Sequence, residues 1–203
     1  MILVTAFEPF EGCTVNTSEE VLKLLPESIG CEDLSKVVLS CDSEVTPQKV
    51  VDIVGRFHYS SIILLGEDKR YSFSTLETIA YNWLDYDVPD NYGRQPRGRR
   101  IDPMANKSLK CVIDGLALQQ CLSERGLKLL LSEDPGRHLC NHVYFSVLNH
   151  YSSNFVVLLH FPRLQSQQEL LSESLHQFTQ ITLGVLEYLI ELGKMRLNEF
   201  LNK

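Results

Sequence analysis

Residues 2–30, ILVTAFEPFEGCTVNTSEEVLKLLPESIG, contain a strand, a turn and a helix in succession, and they set the fold class of this 203-residue chain. The apolar run ILVTAF predicts a buried strand. Thr17, with Glu20 three residues later, has the capping-box spacing that starts a helix, and Pro26 and Gly30 end that helix. A buried strand that leads directly into an amphipathic helix is typical of α/β proteins.

The same alternation continues along the chain and predicts a sheet with crossover helices in one domain, residues 1–203. Thr46 followed by Pro47 predicts a helix start, and a further helix is expected over 109–124. A C-terminal helical region is expected from Gln165, with Leu170 and Leu171 in its apolar stripe. The remaining predicted strands are KVVLSC (36–41), SIILLG (61–66), TLETIAYNW (75–83), LKLLL (127–131) and FVVLLHF (155–161), with a long loop over 87–103.

Composition excludes several function classes. With 44% hydrophobic residues the chain can bury a sizeable core, and its net charge of −7 gives no general attraction to nucleic acid or to an anionic membrane. The first residues have no basic leader, so we expect a cytoplasmic protein.

The six cysteines form no CxxC pair, which favours free thiols over disulfides or a structural zinc site. Without interleaved aromatic residues, the basic stretch RQPRGRR indicates a solvated loop; its arginines are Arg94, Arg97, Arg99 and Arg100.

Cys140 stands between His138 and His142, where a Pro-Gly turn gives way to an apolar helical pattern. A cysteine at a helix N-terminus suits a nucleophile, because unpaired N–H groups and the helix dipole favour the thiolate. Cysteine is also among the most buried residue types, so a packing role is an alternative. The HxCxH spacing makes a metal ligand a third interpretation, although it is not a usual zinc spacing. The local pattern leaves all three open.

Two other residues suit catalysis. His160 ends a predicted buried strand, at the sheet edge where α/β proteins form their sites, and it is either a general base or a histidine of the core or its rim. Glu77 lies in a mostly apolar strand, so its carboxylate either has a partner such as an imidazolium or faces solvent. Phe7 and Phe10 flank the turn after the first strand and are either pocket rings near the same edge or core residues.

Six blocks together resemble the pyroglutamyl peptidase I family of cysteine peptidases, and they keep the family's order and approximate spacing over residues 1–164. The blocks are VTAFEPFEG (4–12), VNTS (15–18), TLETIAYN (75–82), VPDNYGRQP (88–96), DPGRHLCNHVYFSVL (134–148) and LLHFP (158–162). The resemblance implies an α/β fold with a twisted, mixed and largely parallel sheet, helices on both faces and a long C-terminal helical region. It also implies a homo-oligomer, a tetramer or a dimer, and no cofactor or metal.

The resemblance implies a catalytic triad in which Cys140 is the nucleophile, His160 the base and Glu77 the carboxylate that orients the base. Phe7 and Phe10 match the rings that sandwich the pyroglutamyl lactam. The other substrate-binding positions are Glu67, Val88, His138 and Leu139. The implied reaction removes an N-terminal pyroglutamyl or related blocked residue from a small peptide through a thioester.

Three segments depart from the family pattern. GEDKR (66–70) lacks two consecutive glycines and places Glu67 where a neutral residue is usual. Asp87 stands near the expected oxyanion region where the family has an arginine, and His138 replaces an aromatic residue. The intact triad predicts a peptidase or amidase with altered specificity, whereas the changed pocket favours the alternative, a weak or inactive homologue that serves as a binding or assembly module.

Overall fold

The computed structural model describes residues 1–151, 155–164 and 173–201. Within these ranges the strands are β1 (Ile2–Phe7), β2 (Ser28–Ile29), β3 (Glu32–Leu39), β4 (Ser61–Glu67), β5 (Thr75–Glu77), β6 (Ile79–Tyr81), β7 (Ser108–Lys110), β8 (Leu130–Ser132) and β9 (Phe155–Phe161). The helices are α1 (Thr17–Leu24), α2 (Thr46–Arg56), α3 (Gly115–Ser123), α4 (Leu139–His150) and α5 (Glu173–Leu201).

Seven of these strands form one mixed sheet in the order β2-β3-β1-β4-β9-β5-β8. The pairs β3·β1, β1·β4, β4·β9 and β5·β8 are parallel, whereas β9·β5 and β2·β3 are antiparallel. β6 and β7 form a separate antiparallel pair. The expected α/β class with a mixed, largely parallel sheet is confirmed.

Helices cover both faces of the sheet, as the resemblance implies. Since side chains alternate along a strand, β1 sends Ile2 and Val4 into a core with α1, α3 and α5. Leu3 and Phe7 of the same strand enter a second core with α2 and α4. The central strands β1, β4 and β9 are buried along their whole length, which explains why they appear in the sequence as nearly continuous apolar runs.

Several predicted boundaries are wrong. α1 is capped by Asn16, whose side chain accepts from Ser18 N, and not by Thr17; Val45 is the N-cap of α2, and Thr46 is already helical. The segment 75–83 is two strands in different sheets, because the N–H of Thr78 bonds Ser132 O at 2.8 Å while its carbonyl accepts from Cys111 N at 2.9 Å. The segment 109–124 begins in strand β7, and its helix starts only at Gly115.

The long C-terminal helix is confirmed from Glu173, while Leu170 and Leu171 of the predicted stripe lie outside the described residues. Gly184 allows α5 to approach α3 closely, because a Cβ there would overlap the Leu122 side chain. Among the helices that the structure describes, none has the length and apolarity needed to cross a membrane.

Candidate active site

Cys140 is the second residue of α4. The first main-chain hydrogen bond of this helix joins His142 N to His138 O, so the N–H groups of residues 139–141 have no partner inside the helix. Asn141 fixes this turn, because its side-chain Oδ1 accepts from Tyr81 N at 2.8 Å and its Nδ2 donates to Tyr81 O at 2.9 Å. The Cys140 sulfur therefore lies among free main-chain donors of the kind that stabilise an anion.

His160 faces Cys140 across the end of the sheet. In β9 it alternates with residues of the α1 face, so its ring points toward α4, and it is only 1% exposed. The parallel register of β4 and β9 pairs it with Gly66. A Cβ built on Gly66 would lie 3.0 Å from both Cys140 Sγ and His160 Nε2. The sulfur and the imidazole nitrogen thus converge over a position that only glycine leaves open.

Glu77 completes the cluster. Its side chain is fully buried, and its Oε1 accepts a hydrogen bond from His160 Nδ1 at 2.8 Å. This contact leaves His160 Nε2 facing the sulfur. The structure therefore brings together the three residues expected to form a triad, which are 20 to 83 positions apart in sequence.

The environment of His160 stabilises its charged form. Burial by itself would lower the pKa of His160, but its hydrogen bonds and electrostatic interactions with Cys140 and Glu77 outweigh burial and raise that pKa above its ordinary value. A histidine in this state can hold a proton taken from the thiol, with the carboxylate stabilising the positive charge.

The cluster opens onto two cavities that share several lining residues. A groove of about 390 Å³ is lined by Cys140 and His160 together with Phe10, Glu67, Asp87, Val88 and His138. A smaller recess beside Cys140 is lined by Phe7, Phe10, Asn16, Cys41, Glu67, Asp90, His138 and Leu139. Every residue predicted from the sequence to bind substrate therefore borders one cavity or both.

His138 closes one wall of the recess. Its ring stacks on Tyr86 with centroids 3.9 Å apart, and its Nε2 lies 3.1 Å from Val88 O. Burial lowers the pKa of His138, so the ring is neutral near pH 7 and Nε2 is the nitrogen that donates to the carbonyl. The polar replacement thus keeps the stacking role of an aromatic ring and holds Val88 in place.

Glu67 does not present a free carboxylate to the recess. Its Oε2 accepts from Thr17 N at 2.8 Å and Thr17 Oγ1 at 2.9 Å, and its Oε1 accepts from Arg163 Nε at 2.6 Å. Arg163 also pairs with Glu11 at 2.8 Å and lies 5.0 Å from the centre of the Phe10 ring. The negative charge of Glu67 is therefore compensated by the N-terminus of α1 and by a guanidinium.

Asp87 lines the groove and is exposed. Its Oδ1 accepts from the adjacent Val88 N at 3.1 Å, and no ion pair neutralises it among the residues that the structure describes. Of the four nearby arginines, Arg94 pairs with Asp42 and Glu44, and Arg97 reaches only the Asp87 carbonyl, at 3.5 Å. A carboxylate without a cationic partner thus borders the cavity that contains Cys140.

The HxCxH stretch does not converge on one point. His138 and Cys140 face the recess, whereas His142 lines separate cavities with Ile101 and Pro103. Over residues 1–151, 155–164 and 173–201 no three His, Cys, Asp or Glu side chains are grouped so that they could hold a metal ion. All six cysteines are free thiols.

Sequence reasoning missed three residues of this region. Gly66 was interpreted only as the end of a strand, although its position opposite His160 follows from aligning the ends of β4 and β9. Arg163, two residues beyond β9, has no local signal, because its partners Glu11 and Glu67 come from distant segments. Tyr71 lies in an irregular segment, and its hydroxyl donates to Glu77 Oε1 at 2.9 Å.

The chain is similar to known proteins in sequence and in fold. A profile described as pyroglutamyl peptidase matches residues 1–170. Pyrrolidone-carboxylate peptidase 1 of Caldanaerobacter subterraneus subsp. tengcongensis is 30% identical over 171 residues, which cover 82% of this chain and 84% of that protein. Pyrrolidone carboxyl peptidase from Thermus thermophilus superimposes with a TM-score of 0.84 at 29% identity, covering 92% of this chain and 99% of that one. A Pyrococcus furiosus pyrrolidone carboxyl peptidase shares the fold, with a TM-score of 0.86 at 24% identity, and covers 95% of this chain and 99% of its own. The chain therefore belongs to the pyroglutamyl peptidase family.

Proposed function

We propose that this chain is a cysteine peptidase that removes an N-terminal pyroglutamyl or related blocked residue from peptides. The observation that carries the proposal is the convergence of Cys140 Sγ and His160 Nε2 over Gly66, with His160 Nδ1 bonded to the buried Glu77. A thiol, a base and a group that orients the base are the three parts that nucleophilic catalysis needs.

The reaction begins when the Cys140 thiol transfers its proton to His160 and its sulfur attacks the carbonyl carbon of the blocked residue. The carbonyl oxygen becomes negative, and the free N–H groups at the start of α4 lie beside Cys140 to receive it. His160 then gives its proton to the leaving amine as the C–N bond breaks, which leaves a thioester on Cys140. Water, deprotonated by His160, hydrolyses the thioester and restores the thiol.

The recess beside Cys140 would hold the blocked residue. Phe7, Phe10 and Leu139 supply apolar surface for a ring, while His138 and Asn16 supply polar atoms at its edge. Because the Glu67 carboxylate is already bonded by Thr17 and Arg163, it leaves no unpaired charge beside a neutral lactam. The peptide beyond the scissile bond would lie in the larger groove.

A fluorogenic pyroglutamyl amide tests the proposal. We expect the purified protein to release the fluorophore, and Cys140→Ser to lower kcat/KM by about a thousandfold or more. Cys31→Ser is the matched control, because Cys31 is an exposed free thiol that borders neither cavity. A folded native protein that releases no fluorophore, or a Cys140→Ser protein with native activity, would refute the proposal.

The unpaired Asp87 favours a second candidate, a homologue that binds blocked peptides but cleaves them weakly or not at all. Calorimetric titration with an intact pyroglutamyl peptide separates the two functions. A binding module would give a measurable Kd with no turnover, whereas the enzyme would consume the peptide. Assembly as a homo-oligomer stays a prediction, which sedimentation velocity would test.

A further inference from the structure

We infer that Tyr71 is a positioning residue of the catalytic cluster, which holds the Glu77 carboxylate oriented toward His160. This inference rests on the proposed function, because it assigns a role within the same triad. Tyr71 lies outside the groove lining, so it acts through Glu77 and not by touching substrate.

The Tyr71 hydroxyl lies 2.9 Å from Glu77 Oε1, the oxygen that also accepts from His160 Nδ1. The Tyr71 ring is tilted against the His160 ring, with centroids 5.9 Å apart. One side chain therefore contacts both the carboxylate and the imidazole of the cluster. No other tyrosine that the structure describes bonds the carboxylate of Glu77.

The single proton of the Tyr71 hydroxyl has three possible acceptors: Glu77 Oε1 at 2.9 Å, Asp134 O at 3.0 Å and Ser132 Oγ at 2.8 Å. A carboxylate is the strongest acceptor, because hydrogen bonds to a charged group are shorter and stronger than bonds between neutral groups. Ser132 Oγ lies 2.8 Å from the Tyr71 oxygen and accepts from Asp134 N at 2.9 Å. Because the Ser132 oxygen already accepts from Asp134 N, the Ser132 hydroxyl can donate its own proton to the Tyr71 oxygen. The Tyr71 proton is then available for Glu77.

Glu77 depends on this donor because it has few others. The carboxylate is fully buried, and its second oxygen, Oε2, has no hydrogen-bond partner in the part of the chain that the structure describes. His160 and Tyr71 are thus the two groups that stabilise the negative charge in a region without solvent. Removing Tyr71 leaves His160 as the only donor to the carboxylate in the described structure, and a carboxylate that is less firmly oriented stabilises the charged imidazole less.

Tyr71→Phe tests the inference, because it keeps the ring and removes only the hydroxyl. We expect kcat/KM for a pyroglutamyl amide to fall about tenfold to a hundredfold, mainly in kcat, since Tyr71 borders no substrate surface. We also expect the alkaline limb of the kcat/KM profile to move down by about one pH unit, because a misaligned carboxylate stabilises the His160 imidazolium less and lowers the pKa of His160.

Tyr144→Phe is the matched control. Its hydroxyl donates to the main-chain carbonyl of the same Glu77 at 3.0 Å, so its loss loosens Glu77 without changing the donors to the carboxylate. We expect it to lower Tm but to leave the alkaline limb in place. An unshifted alkaline limb in Tyr71→Phe, or an equal shift in both variants, would overturn the inference.

A second readout separates failure of this inference from failure of the proposed function. The rate at which iodoacetamide alkylates Cys140 can be followed across pH by mass spectrometry, without any substrate. If the native protein cleaves no pyroglutamyl amide, the proposed peptidase function fails. The Tyr71 inference still predicts that alkylation of Cys140 near neutral pH is slower in Tyr71→Phe than in the native protein and unchanged in Tyr144→Phe, and superimposable profiles would contradict it.

Discussion

Gly66→Ala should separate the nucleophile from its base. Gly66 lies opposite His160 in the β4·β9 register, and an added Cβ would lie 2.7 Å from His160 Cδ2 and 3.0 Å from both His160 Nε2 and Cys140 Sγ. Nonbonded carbon atoms reach their optimum at about 3.5–4.0 Å. The ring therefore has to retreat by roughly 1 Å, because the methyl group is attached to a strand that is paired on both sides.

A displacement of about 1 Å in a catalytic group typically costs about a hundredfold in rate. We therefore expect kcat/KM for a pyroglutamyl amide to fall about a hundredfold in Gly66→Ala. Overpacking of a buried position costs about 1–3 kcal/mol, so Tm should fall by roughly 2–12 °C. The protein should still fold, since all three contacts are with side-chain atoms and not with main chain.

The assay compares Gly66→Ala with Gly193→Ala, measuring steady-state kinetics and thermal unfolding. A Cβ at Gly193, in α5, meets no atom within 4 Å, and alanine favours the helix. This control should keep native kinetics and gain stability slightly. Native kcat/KM in a folded Gly66→Ala protein would refute the reasoning, because it would mean that the space between Cys140 and His160 is not needed.

Three further predictions concern other groups. Brief iodoacetamide treatment should label Cys140 fastest of the six thiols, since Cys140 lies at a helix N-terminus beside His160. If other cysteines are labelled as fast as Cys140, and the Cys140 rate does not depend on pH near neutrality, Cys140 is not an activated thiolate. Asp87→Arg should raise kcat for a pyroglutamyl amide by about tenfold or more, and Asp87→Ala should raise it by less, because only the arginine supplies a donor to the oxyanion. Unchanged weak activity in both variants, or efficient turnover by the native protein, would count against the hypothesis that Asp87 weakens catalysis. Burial, with a smaller effect of Arg99, lowers the pKa of His142 to about 4 from an ordinary 6.5. The unfolded state therefore binds this proton more tightly, and the folded state should lose stability as the pH falls from about 6.5 toward 4. At pH 5 the expected loss is about 2 kcal/mol, or roughly 4–8 °C in Tm. His142→Gln should flatten this part of the Tm profile, and identical slopes in both proteins would disprove the assignment.

The sequence predicted which residues come together at the sheet edge better than it predicted where helices and strands begin and end, for a physical reason. His160 and Cys140 are placed by local patterns, a buried strand that ends and a helix that begins, and both patterns depend on neighbouring residues alone. The break at Thr78 depends on bonds to Ser132 and Cys111, more than thirty residues away. Periodicity cannot reveal such partners, so the segment appeared to be one strand.

Helix starts show the same limit at a finer scale. Thr17 has the spacing of a capping residue, yet Asn16 accepts the N-terminal hydrogen bond of α1. The N–H and hydroxyl of Thr17 instead bond Glu67, fifty residues later in the chain. A tertiary partner thus changed the role of a residue whose local pattern was otherwise correct.

The departures from the family pattern in the GEDKR stretch (66–70) are linked to each other through ion pairs. The loss of two glycines imposes no left-handed backbone there, since Glu11 is the only non-glycine residue with positive φ in the described chain, at 54°. Its carboxylate pairs with Lys69 at 3.0 Å and with Arg163 at 2.8 Å.

A left-handed residue costs roughly 1–2 kcal/mol, and partly exposed ion pairs contribute up to about 1 kcal/mol each, so the two pairs offset much of that strain. Lys69, in the stretch that lacks the two glycines, helps to hold Glu11, and Arg163 joins Glu11 to Glu67 while lying beside Phe10. Glu67 and Lys69, two departures from the family pattern, therefore belong to one charge network with Glu11 and Arg163. Asp87 is outside this network, and among the described residues no cation pairs with it.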